Sequence, residues 1–417
     1  MKGKIITAAL LCLISVLLLA SCGGDVDDET PRGTTNLYVY NWGEYISDGA
    51  EDTLDVNAAF EEYCAEELGK KVKVVYSTYS SNEDLYAKLS SGAVSYDVVV
   101  PSDYMVARLA AEGLLREMNP EENIPNYGKI DDQFKGLYYD PDNKYSVPYT
   151  FGTVGIIYNT EIIEEGEPLI GSWKLLWSEK YSGNILQFNN PRDAFGTAQF
   201  LIGVSANSTD PAEWRAALEK LKEQKSVVQG YVMDEVFNKM KGCSAAAAPY
   251  YAGDFFTMYE DNERLAFFYP EEGTNVFVDS WCIPSSCQNF DLALEYVNFM
   301  LETEQAVANA EYLCYASPIT EVRENEEYIE YMSDIHEDAI SILYDFDISK
   351  MEYYYDLPDD IRNGMNELWE ELKIESTIGT EIYVICAVVI AALLGFAIYR
   401  FVVKRVRAAA FKKYSVQ

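Results

Sequence analysis

The sequence predicts an α/β protein of two lobes, with a doubly wound parallel sheet at its start. Three observations carry this. The chain has 417 residues, more than one ordinary domain holds. Half of it is apolar, enough to fill globular cores. And between residues 37 and 113 strand-like runs alternate with amphipathic helical patterns, an order that pairs strands in parallel through helical crossovers.

The first strand spans 37–40, an alternating run, and Asn41-Trp-Gly-Glu-Tyr45 follows it. Small ligands bind at the carboxyl ends of strands in such sheets. An aromatic face beside a carboxylate suits an organic cation, which ring quadrupole and negative charge both attract. A turn whose aromatics join the core is the competing reading, and these five residues alone favour it. A helix over 54–68 places Val56, Phe60, Tyr63 and Cys64 on one face, with Gly69 as its stop. Strand 72–76 follows, and Ser80-x-x-Glu83 has the form of a capping box for the next helix. The apolar run 96–100 reads as a buried parallel strand, and a helix near 104–112 ends at Gly113. Trp42–Tyr45 and Ser102–Tyr104 thereby both fall at carboxyl ends of strands.

A second unit begins near 145–158, an extended segment crossing to a new lobe. It continues with a helix starting at 173–177, a strand at 184–188, and a helix with Asp193 in its first turn. The amphipathic pattern 211–224 is a helix; 265–269 and 276–283 are strands; 291–301 and 304–310 are helices. Residues 321–373 read as helical and acidic, and His336 in them as a surface residue.

The two ends differ from the body. Lys2 and Lys4 precede an apolar stretch over 5–20, as in a secretion signal. Leu19-Ala20-Ser21-Cys22 resembles the lipobox of bacterial lipoproteins, which implies a signal peptide over 1–21 and acylation of Cys22. Residues 22–35 form an acidic tether; a metal loop there lacks the Gly and distal Glu it needs. Residues 382–399 carry no charge and make about 27 Å of helix, and 382–403 nearly spans a bilayer core of about 30 Å. The basic residues that follow place 404–417 in the cytoplasm and the body outside.

The formal charge is −36, and setting aside the eight basic residues at the two ends leaves about −44 on the body. Phosphate backbones are repelled by such a body, so nucleic acid is excluded as a partner. Cys64, Cys243, Cys282, Cys287 and Cys314 show no metal-type spacing and read as free thiols, with a Cys282–Cys287 bridge as the alternative. One histidine cannot found a typical zinc site, and there is no phosphate loop and no nucleophile elbow. No catalytic residue, metal or cofactor is therefore expected. What recurs instead is an aromatic beside an acid or small polar residue at an element's end: Trp42/Glu44/Tyr45, Ser102/Tyr104, Asp193, Tyr250/Tyr251/Asp254, Phe277/Asp279 and Tyr315.

Asn41-Trp-Gly-Glu-Tyr45, Val75-Tyr-Ser-Thr-Tyr79, Tyr96-Asp-Val-Val-Val-Pro-Ser-Asp-Tyr104, Val147-Pro-Tyr149, Asn190-Pro-Arg-Asp-Ala194, Tyr269-Pro-Glu-Glu-Gly273 and Val278-Asp-Ser280 occur in that order. Together they closely resemble the spermidine/putrescine-binding proteins of bacterial ABC uptake systems, over about 36–373. The resemblance implies a two-lobed periplasmic-binding-protein fold of type II, with polyamine held between the lobes and passed to ABC permease subunits. Carried over, it implies a site of Trp42, Glu44, Tyr45, Ser102, Tyr104, Asn190, Asp193, Tyr250, Phe277, Asp279 and Tyr315. Asn190 stands where spermidine-preferring members carry an aspartate, and Phe277 where the family carries a tryptophan. A late family glutamine has no clear counterpart near Tyr353, Tyr354 and Tyr355.

The expected organisation is therefore a first lobe over 36–148 with 280–318, and a second over 149–279 with 319–373, between a lipid anchor and a single transmembrane helix. The expected function is an extracytoplasmic polyamine-binding protein serving an ABC transporter. Two rivals stand beside it: a membrane-tethered receptor that signals through the helix, and an exported envelope hydrolase.

Overall fold

A computed structural model describes residues 33–50 and 53–374. Ten strands make one continuous sheet: β1 (Thr35–Trp42), β2 (Val72–Tyr79), β3 (Val98–Val99), β4 (Ser146–Asn159), β5 (Ile185–Phe188), β6 (Val228–Val232), β7 (Ala247–Tyr251), β8 (Leu265–Phe268), β9 (Thr274–Cys282) and β10 (Met351–Glu352). The order is β2-β1-β3-β9-β4-β7-β5-β6, with β8 added to β4 and β10 to β9.

Two parallel trios flank an antiparallel pair. In the first lobe β1 pairs in parallel with β2 from Thr35↔Val72 to Trp42↔Tyr79, and with β3 at Val39↔Val98. In the second lobe β5 lies parallel to both β6 and β7. The long strands β4 and β9 run antiparallel from Ser146↔Cys282 to Thr153↔Val276 and pass through both lobes. Both are buried along their whole length, as strands covered on two faces must be. Their ladder breaks register between Pro148 and Thr150, leaving Tyr149 as the extra residue of a bulge.

Helical crossovers cover the sheet. In the first lobe α1 (Val56–Glu66) buries Val56, Phe60 and Cys64, the stripe that the periodicity predicts. It is followed by α2 (Asn82–Ser91) and α3 (Asp103–Ala111). The second lobe carries α4 (Pro191–Ile202) after β5 and α5 (Pro211–Gln224), whose bounds match the predicted ones. In α6 (Ala252–Asp261), which follows β7, burial runs through Phe255, Phe256 and Met258.

Several details differ from expectation. The α2 cap is Ser81, whose hydroxyl accepts from Asp84 N at 3.1 Å, while Ser80 donates to the Asp84 carboxylate at 2.6 Å. The capping pattern is thus displaced by one residue. Trp173–Trp177 is a 3-10 turn rather than the start of an α-helix. The span 321–373 is not continuous helix: a 3-10 turn and β10 interrupt it between Tyr344 and Asp359. His336 is not a surface residue of a helix but the C-cap of Glu326–Ile335, half-buried, with its ring 4.8 Å from that of Tyr259 and edge-on to Phe255. All five cysteines of the body are free. Among the described residues no helix is long and apolar enough to cross a membrane. The leader, Cys22, the candidate span 382–403 and the basic tail lie outside the described residues.

Candidate ligand-binding site

The carboxyl ends of β1, β3, β5 and β7 all point into one cavity, with β9 crossing its floor; the space between the atoms is about 860 Å³, part of it open to solvent. All eleven residues named from the sequence line it. They come from both lobes, so the fold brings together side chains far apart in the chain.

The wall on the first lobe is aromatic and pinned from behind. Trp42 Nε1 donates to Val100 O at 2.8 Å, and Tyr79 OH donates to the same carbonyl at 2.5 Å. The two rings lie 4.6 Å apart. Both polar atoms being spent on the backbone, these residues offer their rings to the cavity. Tyr104 is held by Asn82, whose Nδ2 reaches its hydroxyl at 3.1 Å. Ser102, at the N-cap of α3, bridges by its backbone to Asp279.

On the second lobe Tyr251 stands edge-on to Phe277 at 5.4 Å, and Tyr250 lies behind it, stacked on Phe188. Tyr315, from the first-lobe segment 280–318, closes this wall. It sits over Gly253, where a Cβ would come within 2.2 Å of the ring, so only glycine lets it approach. Its hydroxyl donates to Asp254 at 3.0 Å.

Among the acids that line the cavity, Asp193, Asp254 and Asp279 each accept from a tyrosine hydroxyl. Asp279 Oδ2 accepts from Tyr45 OH at 2.7 Å, and Tyr45 is also 2.5 Å from Thr150 Oγ1. Asp279 Oδ1 is buried and has no hydrogen-bond partner. Burial raises this group to about 6, against the pull of the Ser102 and Tyr45 hydroxyls. Asp193 Oδ2 accepts from Asn190 Nδ2 at 2.9 Å and Tyr251 OH at 2.8 Å. It too is raised to about 6 by burial, with Tyr251 opposing and the charge of Glu83 assisting. Burial lifts Asp254 further, to about 8. A buried carboxylate with no cation beside it is unstable as an anion, and among the described residues Asp254 and Asp279 have none, while Asp193 has the Arg192 guanidinium near it.

Some assignments change in kind. Glu44 lines the cavity at its mouth, where it is exposed and has a left-handed backbone (φ 50°). The turn at Gly43 and Glu44 throws the side chain outward. Asn190 lines the cavity, but its Oδ1 caps α4 by accepting from Arg192 N at 3.0 Å and its Nδ2 holds Asp193. It orients the acid rather than offering a free polar atom.

The cavity is also lined by residues outside the set that the resemblance implies: Tyr79, Asn82, Asp103, Arg192, Tyr354 and Asp254, the last already singled out as an acid beside aromatics at an element's end. Asp103 is buried at the start of α3 with Oδ2 unpartnered, and burial holds its carboxyl well above the carboxylate range. The signal for Asp254 was its place in the first turn of a helix after the apolar run of β7.

The sequence profile of bacterial extracellular solute-binding proteins matches residues 58–333. This chain belongs to that family. Among individual relatives, the spermidine/putrescine-binding periplasmic protein of Salmonella typhimurium is 33% identical over 285 residues, covering 68% of this chain and 77% of the relative. A Listeria monocytogenes protein assigned to a spermidine/putrescine ABC transporter superposes with a TM-score of 0.73 at 32% identity, over 82% of this chain and 99% of that one. A Treponema pallidum lipoprotein superposes with a TM-score of 0.64 at 25% identity, over 81% and 99% of the two chains.

Proposed function

We propose that the protein is an extracytoplasmic polyamine-binding protein that delivers its ligand to an ABC permease. The observation that carries this reading is the trio Asp193, Asp254 and Asp279 between aromatic walls, with one Asp279 oxygen buried and unpartnered. A polyamine is a methylene chain with ammonium groups, and it needs separated carboxylates joined by apolar faces. Ring faces contribute about 0.5–2 kcal/mol for each ammonium they cover. The relatives named for spermidine and putrescine support the same class.

The lobes run over 36–148 with 280–318 and over 149–279 with 319–373. The register break beside Pro148 supports that division. Cys22 carries a lipid, residues 382–403 cross the membrane once, and 404–417 lie in the cytoplasm. The lipobox, the uncharged span and the basic flank support this, and the Treponema pallidum lipoprotein supports the lipid anchor alone.

Calorimetric titration of the purified full chain with putrescine, spermidine and spermine tests the ligand class. Saturable binding of at least one at physiological salt is expected. Heat that vanishes when salt is raised modestly would point instead to general attraction by an acidic body. For topology, protease added to intact cells should spare a C-terminal tag, and its digestion would refute the orientation.

A further inference from the structure

The Asp193 end of the cavity is closed by a tyrosine with no slack behind it. Tyr354 follows β10, in a segment strapped to the second lobe. Glu352 accepts from Ser205 Oγ at 2.8 Å and Ala206 N at 3.1 Å, and Asn207 Nδ2 donates to Tyr353 O at 2.7 Å. Tyr355 N donates to Asn207 Oδ1 at 2.7 Å. From the first lobe, Tyr138 OH donates to Tyr354 O, and the Tyr104 ring stands edge-on at 6.4 Å. The Tyr354 hydroxyl presses on α4 at Gly196, where a Cβ would lie 2.2 Å from it. The ring therefore cannot withdraw in that direction.

Beside Tyr354 stands Arg192, the one cation among the described residues that line the cavity. Its guanidinium lies 4.5 Å from the Tyr354 ring centre. It is fixed by Ala206 O at 2.7 Å, Asn207 Oδ1 at 2.8 Å and Tyr355 O at 3.2 Å. The end wall is thus both filled and positively charged.

We propose that Tyr354 and Arg192 set a length limit on the ligand, so that the cavity takes an aliphatic diamine in preference to a triamine. This rests on the polyamine reading above. One ammonium of a diamine meets Asp279, the other meets Asp193, and the methylene chain lies between the rings. A triamine that extends past Asp193 must displace a tightly held ring and set its third ammonium against a guanidinium. Extended the other way, its extra arm leaves by the mouth, where Glu44 and Asp234 are exposed and water screens them. Selectivity here comes from an obstacle to the longer ligand rather than from a better contact to the shorter one.

The test is calorimetric titration of the full chain with putrescine and spermidine in one buffer, for wild type, Tyr354→Ala and Tyr354→Phe. Wild type should bind putrescine more tightly. Tyr354→Ala should move the affinity ratio toward spermidine by roughly ten-fold or more. Tyr354→Phe keeps the ring and should hold the ratio within about three-fold. Should Tyr354→Ala not fold, Tyr354→Leu is read by the same ratio. A wild type that prefers spermidine overturns the length limit alone, as does a truncated variant that still binds putrescine with an unchanged ratio. A wild type that binds neither amine overturns the polyamine reading, and the length limit with it.

Discussion

Asp193 and Asp279 are alike in burial and in the height to which burial lifts them, and unlike in what surrounds their oxygens. Asp193 is already gripped by Asn190 and Tyr251, with a guanidinium on the neighbouring residue of the same helix. Asp279 has one oxygen on Tyr45, and its Oδ1 is buried without a hydrogen-bond partner, with the Ser102 hydroxyl near enough to pull on the carboxyl. The first has its bonded oxygen satisfied within the protein; the second keeps one oxygen that the protein leaves unpartnered. Equal acidity therefore does not mean equal dependence on the bound cation.

Neutralising Asp279 should have the largest effect. Asp279→Asn leaves a buried ammonium without its anion, at about 2–5 kcal/mol, roughly a thirty-fold to several-thousand-fold loss of affinity by titration. Binding like wild type would break the comparison at its strongest point. Asp193→Asn should cost less, roughly ten-fold to a hundred-fold, because its neighbours already share its charge. If the two losses are equal, the difference in hydrogen bonding has no functional weight.

Proton release sharpens the comparison. An ammonium favours the ionised carboxylates, so ligand binding should expel protons wherever the empty site holds them. With Asp254 near 8 and Asp193 and Asp279 near 6, release at pH 7 should come mainly from Asp254. It should grow, and affinity fall, as pH drops through 6. Titration in buffers of different ionisation enthalpy measures it, and no release between pH 5 and 8 (a window set by these same values) would contradict the assignment.

The ligand-free protein should show the mirror effect. A carboxyl whose folded value lies above its unfolded value of 3.8 binds more protons when folded. These groups therefore stabilise the fold on the acid side. That contribution is lost as pH rises from about 4 through 6 for Asp193 and Asp279 and through 8 for Asp254. Denaturant midpoints of wild type against Asp254→Asn over that range should converge at low pH and diverge at high pH, with the variant more stable there. The smallest effect belongs to Glu44→Gln. Exposed at the mouth, it should change affinity less than about five-fold.

Much of this was legible in the sequence because it depends on local pattern. The stripe of α1, the bounds of α5 and the acid in the first turn of α4 follow from periodicity and capping. The convergence of Trp42, Asp193, Asp279 and Tyr315 was legible only through ordered motifs, since no local rule brings residues so far apart together. The rest escaped for physical reasons. Strand β7 is a run of alanines followed by proline and tyrosines, Ala247–Tyr251, whose weak strand preference is overruled by pairing with β4. Tyr354 lies among three consecutive tyrosines, and only the packing against Gly196 tells which one turns inward. Glu44 carries the right charge in the right motif, but a left-handed backbone turns it to water.

The bulge at Tyr149 gives the molecule a mechanical property. Two strands that pass unbroken between lobes act as leaf springs, and a spring bends where it is weakest. Proline at 148 has no N–H to give the ladder, and the register is already broken beside it. Thr150, on the far side of the break, pairs with Asp279 in the ladder and touches the hydroxyl of Tyr45 that holds the same carboxylate. The compliant joint and the anion awaiting a partner are thus adjacent residues of one ladder. On the proposed reading, a cation that seats on Asp279 acts directly beside the break in the ladder.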